Sequence, residues 1–335
     1  MMALLAAPLS ATDTPETLPG GWRLDWADEF DGSKLNTKKW QHELGVIRNQ
    51  DAVQTYTKDC VKVRGGKLIL LSKARETKNS NYNPTKDHWT HQRKTMPYAS
   101  GSVTTRGVKH FECPGRLEIR AKVPRAKGVW PALWTMHVNQ YGWPANGEID
   151  ILEHISQEPE TCYSIFRWGA NGSNREHKVI RTTRIPDYSK DFHTYVLEWD
   201  EEVMRILIDD AEVGRVRIEE ANYPDGNNPL RTPCYLIMNT AIDGWPKPRM
   251  PPNTRCSSRL TTCATTPRAK RQARLLLMRS PLSPGPPGRR KRRTAGRNDT
   301  PGGSLFIPLA VQPLAFLRGG GVCRAVLCSF ERTAG

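Results

Sequence analysis

Glu148-Ile149-Asp150-Ile151-Leu152-Glu153 places three carboxylates on one short apolar segment. In a strictly alternating strand Glu148 and Asp150 would point to one face and Glu153 to the other. One extra residue, a β-bulge at Ile151 or Leu152, returns Glu153 to the side of the other two acids. Ile149 then faces a core and the acids face a groove. Three acids on one face repel one another, so at least one is expected to hold a proton near neutral pH. One ionised carboxylate and one protonated carboxyl about 5–5.5 Å apart is the arrangement that retaining cleavage of a glycosidic bond requires.

Outward from these acids the flanks are aromatic. Trp130-Pro131-Ala132-Leu133-Trp134 precedes them, followed by Trp143-Pro144-Ala145-Asn146-Gly147. Trp130 and Trp134 are four residues apart and share a face of an extended strand. Indole faces stack on the apolar C–H faces of sugar rings, so two on one face beside an acidic strand favour a groove over a core.

The wider chain is all-β in pattern. Leu117, Ile119, Ala121 and Val123 alternate with Arg116, Glu118, Arg120 and Lys122, which predicts a half-buried strand. Met204 to Ile208 and Val213 to Val216 predict a hairpin around Asp209-Asp210-Ala211-Glu212. Tyr235 to Ala241 predicts a buried strand. Asn79 to Gln92 reads as a loop at the groove rim, and Asn171 to Ser189 as a second long connection. Short strands with regular turns and little helical periodicity indicate a β-sandwich.

Composition divides the 335 residues in two. All ten tryptophans lie between Trp22 and Trp245. From Thr254 onward sixteen Lys or Arg face only two acids, Asp299 and Glu331, which supplies most of the net charge of +16. The basic run Arg289-Arg290-Lys291-Arg292-Arg293 sits among Pro, Gly and Ser with no interleaved aromatics, so it reads as a disordered tail and not as a nucleic-acid surface. Cys60, Cys113, Cys162 and Cys234 precede the tail, and Cys256, Cys263, Cys323 and Cys328 lie in it. No Cys-x-x-Cys pair predicts a zinc site. Ala3 to Ala11 has the apolar run of a secretion signal without its basic start. No stretch is long enough to span a membrane.

The ordered blocks resemble glycoside hydrolase family 16, its β-1,3-glucanase (laminarinase-like) branch. The resemblance runs from about Trp26 to Pro252. It includes Asp28-Glu29-Phe30-Asp31-Gly32, Lys39-Trp40, Gln54-Thr55-Tyr56-Thr57, Gly115 to Arg120, the Trp130 and Glu148 blocks, Phe192 to Trp199 and Tyr235 to Asn239. It implies a β-jelly roll of two curved antiparallel sheets, concanavalin-like, with a cleft on the concave face. It implies Glu148 as nucleophile, Glu153 as acid/base and Asp150 as their support. Substrate contacts are expected from Trp130, Trp134, Trp143, Asn49 and Gln54. Arg167 stands where many members have His, placing a fixed cation there. His154 and His193 are expected to be structural.

These readings set the expectations. Residues 1–19 form a leader, 20–253 the catalytic sandwich and 254–335 the basic tail. The substrate is a β-glucan, with a catalytically impaired carbohydrate-binding sandwich or a galactan hydrolase as alternatives. A secreted monomer without cofactor, metal, nucleic acid or membrane partner is expected. Calcium, often present in the family, is partly held by an Asp of the last strand. That strand reads roughly Val-Asp-Tyr-Val-Arg-Val, and no such run follows Pro252. Read one base later, Cys256 to Ala264 can encode Phe-x-Pro-Val-Asp-Tyr-Val-Arg, so the tail is expected to be a frameshifted or mis-spliced product that leaves two strand edges unpaired.

Overall fold

The computed structural model of the chain describes residues 22–49, 51–124, 126, 128–155, 158, 160–185 and 189–242, with the strand pieces 17–18, 258–262 and 327–329. Among these the strands are β1 (Thr17–Leu18), β2 (Trp22–Arg23), β3 (Trp26–Ala27), β4 (Gln41–His42), β5 (Gln54–Tyr56), β6 (Val61–Val63) and β7 (Leu68–Lys78). They continue with β8 (Thr95–Ser100), β9 (Ser102–Thr104), β10 (Gly115–Lys122), β11 (Val129–His137), β12 (Glu148–His154), β13 (Thr161–Gly169) and β14 (Glu176–Arg184). The last are β15 (His193–Trp199), β16 (Val203–Ile208), β17 (Ala211–Arg217), β18 (Cys234–Ile242), β19 (Ser258–Thr262) and β20 (Leu327–Ser329). Helical structure in the described residues is confined to short 3-10 turns such as Ile218–Ala221.

Two large sheets pack into an all-β jelly-roll sandwich. One runs β14-β13-β12-β11-β18-β9-β4; the other follows β17-β16-β15-β10-β19-β7-β8-β5. Alternation decides which side chains lie between them. Leu117, Ile119 and Leu197 of the larger sheet meet Leu133, Ile149, Phe166 and Met238 of the smaller, and all are buried. On the other face of β10, Arg116 bridges Glu118 and Glu198 at 2.9 Å each. The predicted hairpin is β16–β17. Its turn is the Asp209-Asp210 pair at φ of 48° and 68°, the left-handed backbone of a tight two-residue turn that Asp tolerates. The Asp28 carboxylate accepts from Trp40 Nε1 at 2.8 Å, and Phe30 lies against the same indole. That gives the Asp28–Gly32 block a structural use.

Three expectations are corrected. Asn171 to Ser189 is not a plain connection, because β14 occupies its middle. Val179-Ile180-Arg181-Thr182-Thr183 is rich in β-branched residues, and as an edge strand it stays mostly exposed. Asn79 to Gln92 contributes no residue to the cleft. It braces the neighbouring loop instead, with Asn81 Nδ2 donating to the Gly45 carbonyl at 2.7 Å. Part of the basic tail is paired. β19 sits between β7 and β10, matching Ser258 to Ser72 and Thr262 to Ala121. β20 pairs Cys328 with Glu118 of β10 and with Ala27 of β3. Open backbone donors and acceptors along β10 and β7 are satisfied by whichever extended segment reaches them. The side of β10 away from β15 is therefore partly filled. The remaining tail residues, including the Arg289–Arg293 run, and the leader through Glu16 lie outside the described residues.

Candidate active site

β12 carries the site. It is buried along its whole length, yet it holds Glu148, Asp150 and Glu153. Against β11, Trp134 pairs with Asp150 and Leu133 with Leu152, leaving Ile151 as the extra residue. Against β13, Asp150 pairs with Ile165 and Glu153 with Tyr163, so Ser164 faces two residues. This is the bulge the acidic spacing predicts. Ile151 and Leu152 both join the core, and Ser164 Oγ donates to the Ile151 carbonyl at 3.1 Å, satisfying a backbone acceptor at the irregular step.

Register then arranges the outward face in rows. Lys178, Arg167, Glu148, Met136 and Tyr235 form one; Ile180, Ile165, Asp150, Trp134 and Ile237 the next. Thr182, Tyr163, Glu153, Ala132 and Asn239 form the third. Over these rows opens a cavity of about 560 Å³, to which all three acids contribute.

Glu148 is held at both oxygens. Arg167 Nη1 meets Oε1, and Trp143 Nε1 donates to Oε2 at 3.0 Å. Arg167 also reaches Asp150 Oδ2 at 3.7 Å and Glu176 Oε1 at 2.8 Å. Burial raises the Glu148 carboxyl above the usual range, opposed by Arg167, the Trp143 hydrogen bond and Arg48. Burial, then the charges of Glu153 and Glu148, push Asp150 well above the carboxylate range. Burial pushes Glu153 up to about 7, against the pull of Arg167 and of a hydrogen bond from Trp130. The arrangement thus offers a Glu148 partnered at both oxygens, an Asp150 whose proton is favoured by burial and by its two acidic neighbours, and a Glu153 able to give or take a proton near neutral pH.

Of the other sequence-predicted contacts, Asn49, Trp130, Trp134, Trp143 and Arg167 line the cavity. Gln54 does not. Its side chain is buried and its Oε1 accepts from the Ile242 backbone at 2.9 Å, which makes it a brace for the end of β18. Trp134 is no open platform either. Its indole donates to Asn239 Oδ1 at 2.8 Å and its ring is covered by the Arg48 guanidinium, 4.9 Å from the centroid. Trp143 is the open indole, 54% exposed. His154 is buried and makes a contact to the Thr161 carbonyl; His193 meets Asp209. Neither lines the cavity. Sequence reasoning missed Arg48, Tyr56, Lys178 and Ile180, which do. Arg48 adjoins Asn49 in a segment already singled out, and the β-branched content of β14 was the available signal for the last two.

Residues 49–251 match the description Glycosyl hydrolases family 16. The chain belongs to this family. It is 32% identical to a β-glucanase of Rhodothermus marinus over 73% of this chain and 83% of that protein. It is 33% identical to a glucan endo-1,3-β-glucosidase of Cryptopygus antarcticus, covering 67% of this chain and 82% of the relative. A solved structure reported for endo-acting O-glycanases of the human gut microbiota, which initiate mucin breakdown, is 45% identical. It covers 74% of this chain and 90% of its own, with a TM-score of 0.71. The chain is therefore a glycoside hydrolase acting on a polymeric glycan. Among the described residues no group of three or more His, Cys, Asp or Glu side chains is placed to hold a metal ion. No helix among them is long and apolar enough to cross a membrane. Cys60, Cys162 and Cys234 are buried free thiols.

Proposed function

We propose that this family 16 enzyme cleaves internal β-1,3 linkages of a glucan with retention of configuration. The observation that carries the reading is the bulge at Ile151, which brings Glu148, Asp150 and Glu153 to one cavity. Glu148 attacks the anomeric carbon while Arg167 and Trp143 fix its two oxygens. Glu153 gives its proton to the departing glycosidic oxygen, and a glycosyl ester forms on Glu148. Water then enters and Glu153 takes its proton back, so the two steps restore the original configuration. Asp150 lies between them, and the burial and neighbouring acids that favour its proton limit the repulsion that a third charge would add. Trp130 and Trp143 offer indole faces to the sugars on either side.

The glucan is supported by what the β-glucanase and endo-1,3-β-glucosidase relatives are named for. A second reading, cleavage within mucin-type O-glycan chains, is favoured by the 45% identity to the O-glycanase structure. Incubation with laminarin and, separately, with mucin O-glycans decides between them by oligosaccharide release. The same reading takes the enzyme to act outside the cell, where polymeric glycans are reached, and as a monomer. Assay of culture medium and size-exclusion mass measurement test these two points.

A further inference from the structure

The wall of the cleft opposite Arg167 is built on a different principle from the rest. Arg48 lies between two aromatic rings, its Cζ 4.9 Å from the Trp134 centroid and 5.5 Å from that of Tyr56. Its Nη2 meets Glu43 Oε2, which also accepts from Ser102 Oγ at 2.5 Å. A guanidinium stacked on two rings and tied to a carboxylate is fixed in plane. Its side chain keeps 27% of its surface exposed, and the residue lines the cavity. A sugar therefore meets the guanidinium where the face of Trp134 would otherwise lie. Two polar atoms of this wall, Arg48 Nη1 and Asn49 Oδ1, are buried and make no hydrogen bond within the protein. One is a donor and the other an acceptor. Unmade hydrogen bonds at buried groups are costly, and a sugar hydroxyl entering this wall in the guanidinium plane would satisfy either.

We propose that Arg48, with Asn49, is a specificity-determining pair that holds the sugar on this side of the cleft by its hydroxyl groups, because Arg48 closes the Trp134 face to stacking. The inference rests on the hydrolytic reading above and adds the mode of recognition. The exposed indole of Trp143, whose Nε1 donates to Glu148, presents an apolar ring face, so the cleft offers two modes of recognition: hydroxyl pattern at Arg48 and Asn49, apolar ring face at Trp143.

The test compares wild type with Arg48→Met, Arg48→Lys and Asn49→Ala on laminari-oligosaccharides and on mucin-derived galactose-containing oligosaccharides. Sites that hydrogen-bond a substrate hydroxyl discriminate far more strongly than apolar pockets. Arg48→Met is expected to raise KM on the better substrate by roughly 10-fold to 100-fold and to narrow the preference between the two sugar series. Arg48→Lys should recover only part, since an ammonium lacks the planar stack on both rings. Titration of the same oligosaccharides into Glu148→Gln, with and without Arg48→Met, reads binding apart from turnover. Asn49→Ala, which leaves the stacked guanidinium in place, keeps the test open if Arg48→Met fails to fold. Unchanged KM and unchanged preference in folded Arg48 and Asn49 variants of an active enzyme would overturn the inference. A wild type that cleaves neither series would instead overturn the hydrolytic reading.

Discussion

β11 pairs with β18 over nine consecutive residues, whereas β10 meets β19 and β20 through two residue pairs each. The first region holds the acids, and the second closes the larger sheet behind them. Uninterrupted register next door is what lets a single extra residue act: β11 is held on β18 and β13 on β14 over nine pairs each, so the ladders flanking β12 take up Ile151 as one bulge that turns Glu153 to the acid face. Behind β10 the pairing is short and comes from a segment whose sequence has no strand alternation. Chemistry thus rests on the well-registered sheet, while the margin of stability rests more on the thinly paired one. Substitutions in the two regions should separate cleanly, with activity lost at constant fold in the first and fold weakened at constant chemistry in the second.

The largest effect belongs to Glu148→Gln. Turnover should fall on the order of 10⁴-fold while oligosaccharide binding, measured by titration calorimetry, persists, because the charge matters more to the transition state than to ground-state contact. Next is deletion of Ile151. Without the extra residue Glu153 turns toward the core and one acid leaves the cleft. Hydrolysis should drop to the level of a Glu153 knockout, and melting temperature should fall as well, since an uncompensated buried charge costs about 3–5 kcal/mol. Near wild-type hydrolysis by the deletion variant would show that the bulge is not needed.

Glu153→Ala comes third, with a loss of about 10²–10⁴-fold that azide partly restores as a β-glycosyl azide. The same residue sets the alkaline limb. Its carboxyl, raised to about 7 by burial, must be protonated to act as acid, so kcat/KM should decline as pH rises through about 7. Stability has the same sign. A carboxyl with a raised folded value contributes fully at pH below its unfolded value and loses that contribution as pH rises through about 7. The fully folded enzyme is expected to melt lower at pH 8 than at pH 5, and Glu153→Gln should reduce that difference.

The smallest effect concerns the thin seam. Replacing Ser258–Thr262 with Val-Asp-Tyr-Val-Arg supplies β-branched and aromatic residues where β7 and β10 already offer partners. One or two kcal/mol would raise the melting temperature by a few degrees, with turnover per folded molecule unchanged. A lower melting temperature would argue that the native segment suits the slot better than its strand-like replacement. The slot coincides with the stretch that, read one base later, can encode that strand sequence, so reading the transcript across codons 250–270 bears on the same point. An in-frame message with no alternative junction would set the frameshift proposal aside.

Much of the site is legible in the sequence because it is local. Glu148, Asp150 and Glu153 lie within six residues, and the period of a strand plus one bulge places them without knowledge of the rest of the fold. Trp143 and Arg167 are legible as residues but not in their geometry, since their partner Glu148 lies on β12 while they sit on the preceding loop and on β13. Arg48 is illegible because its role depends on contacts with Tyr56, Trp134 and Glu43, which only tertiary packing brings together. Gln54 misleads for the converse reason: a polar residue beside cleft residues is taken up by the Ile242 backbone. β14 reads as a connection because an exposed edge strand lacks apolar alternation, and the pairing of β19 depends on open partners rather than on its own pattern.

The central claim is that Glu148 is the attacking carboxylate of a double displacement. A 2-deoxy-2-fluoro glycoside with a good leaving group forms the glycosyl-enzyme ester but slows its breakdown, so the attached sugar can be located by peptide mass spectrometry. A stoichiometric label is expected on Glu148, abolished in Glu148→Gln and still formed in Glu153→Ala. A label on Glu153 or Asp150, or turnover with no covalent species and an α-configured first product, would contradict it.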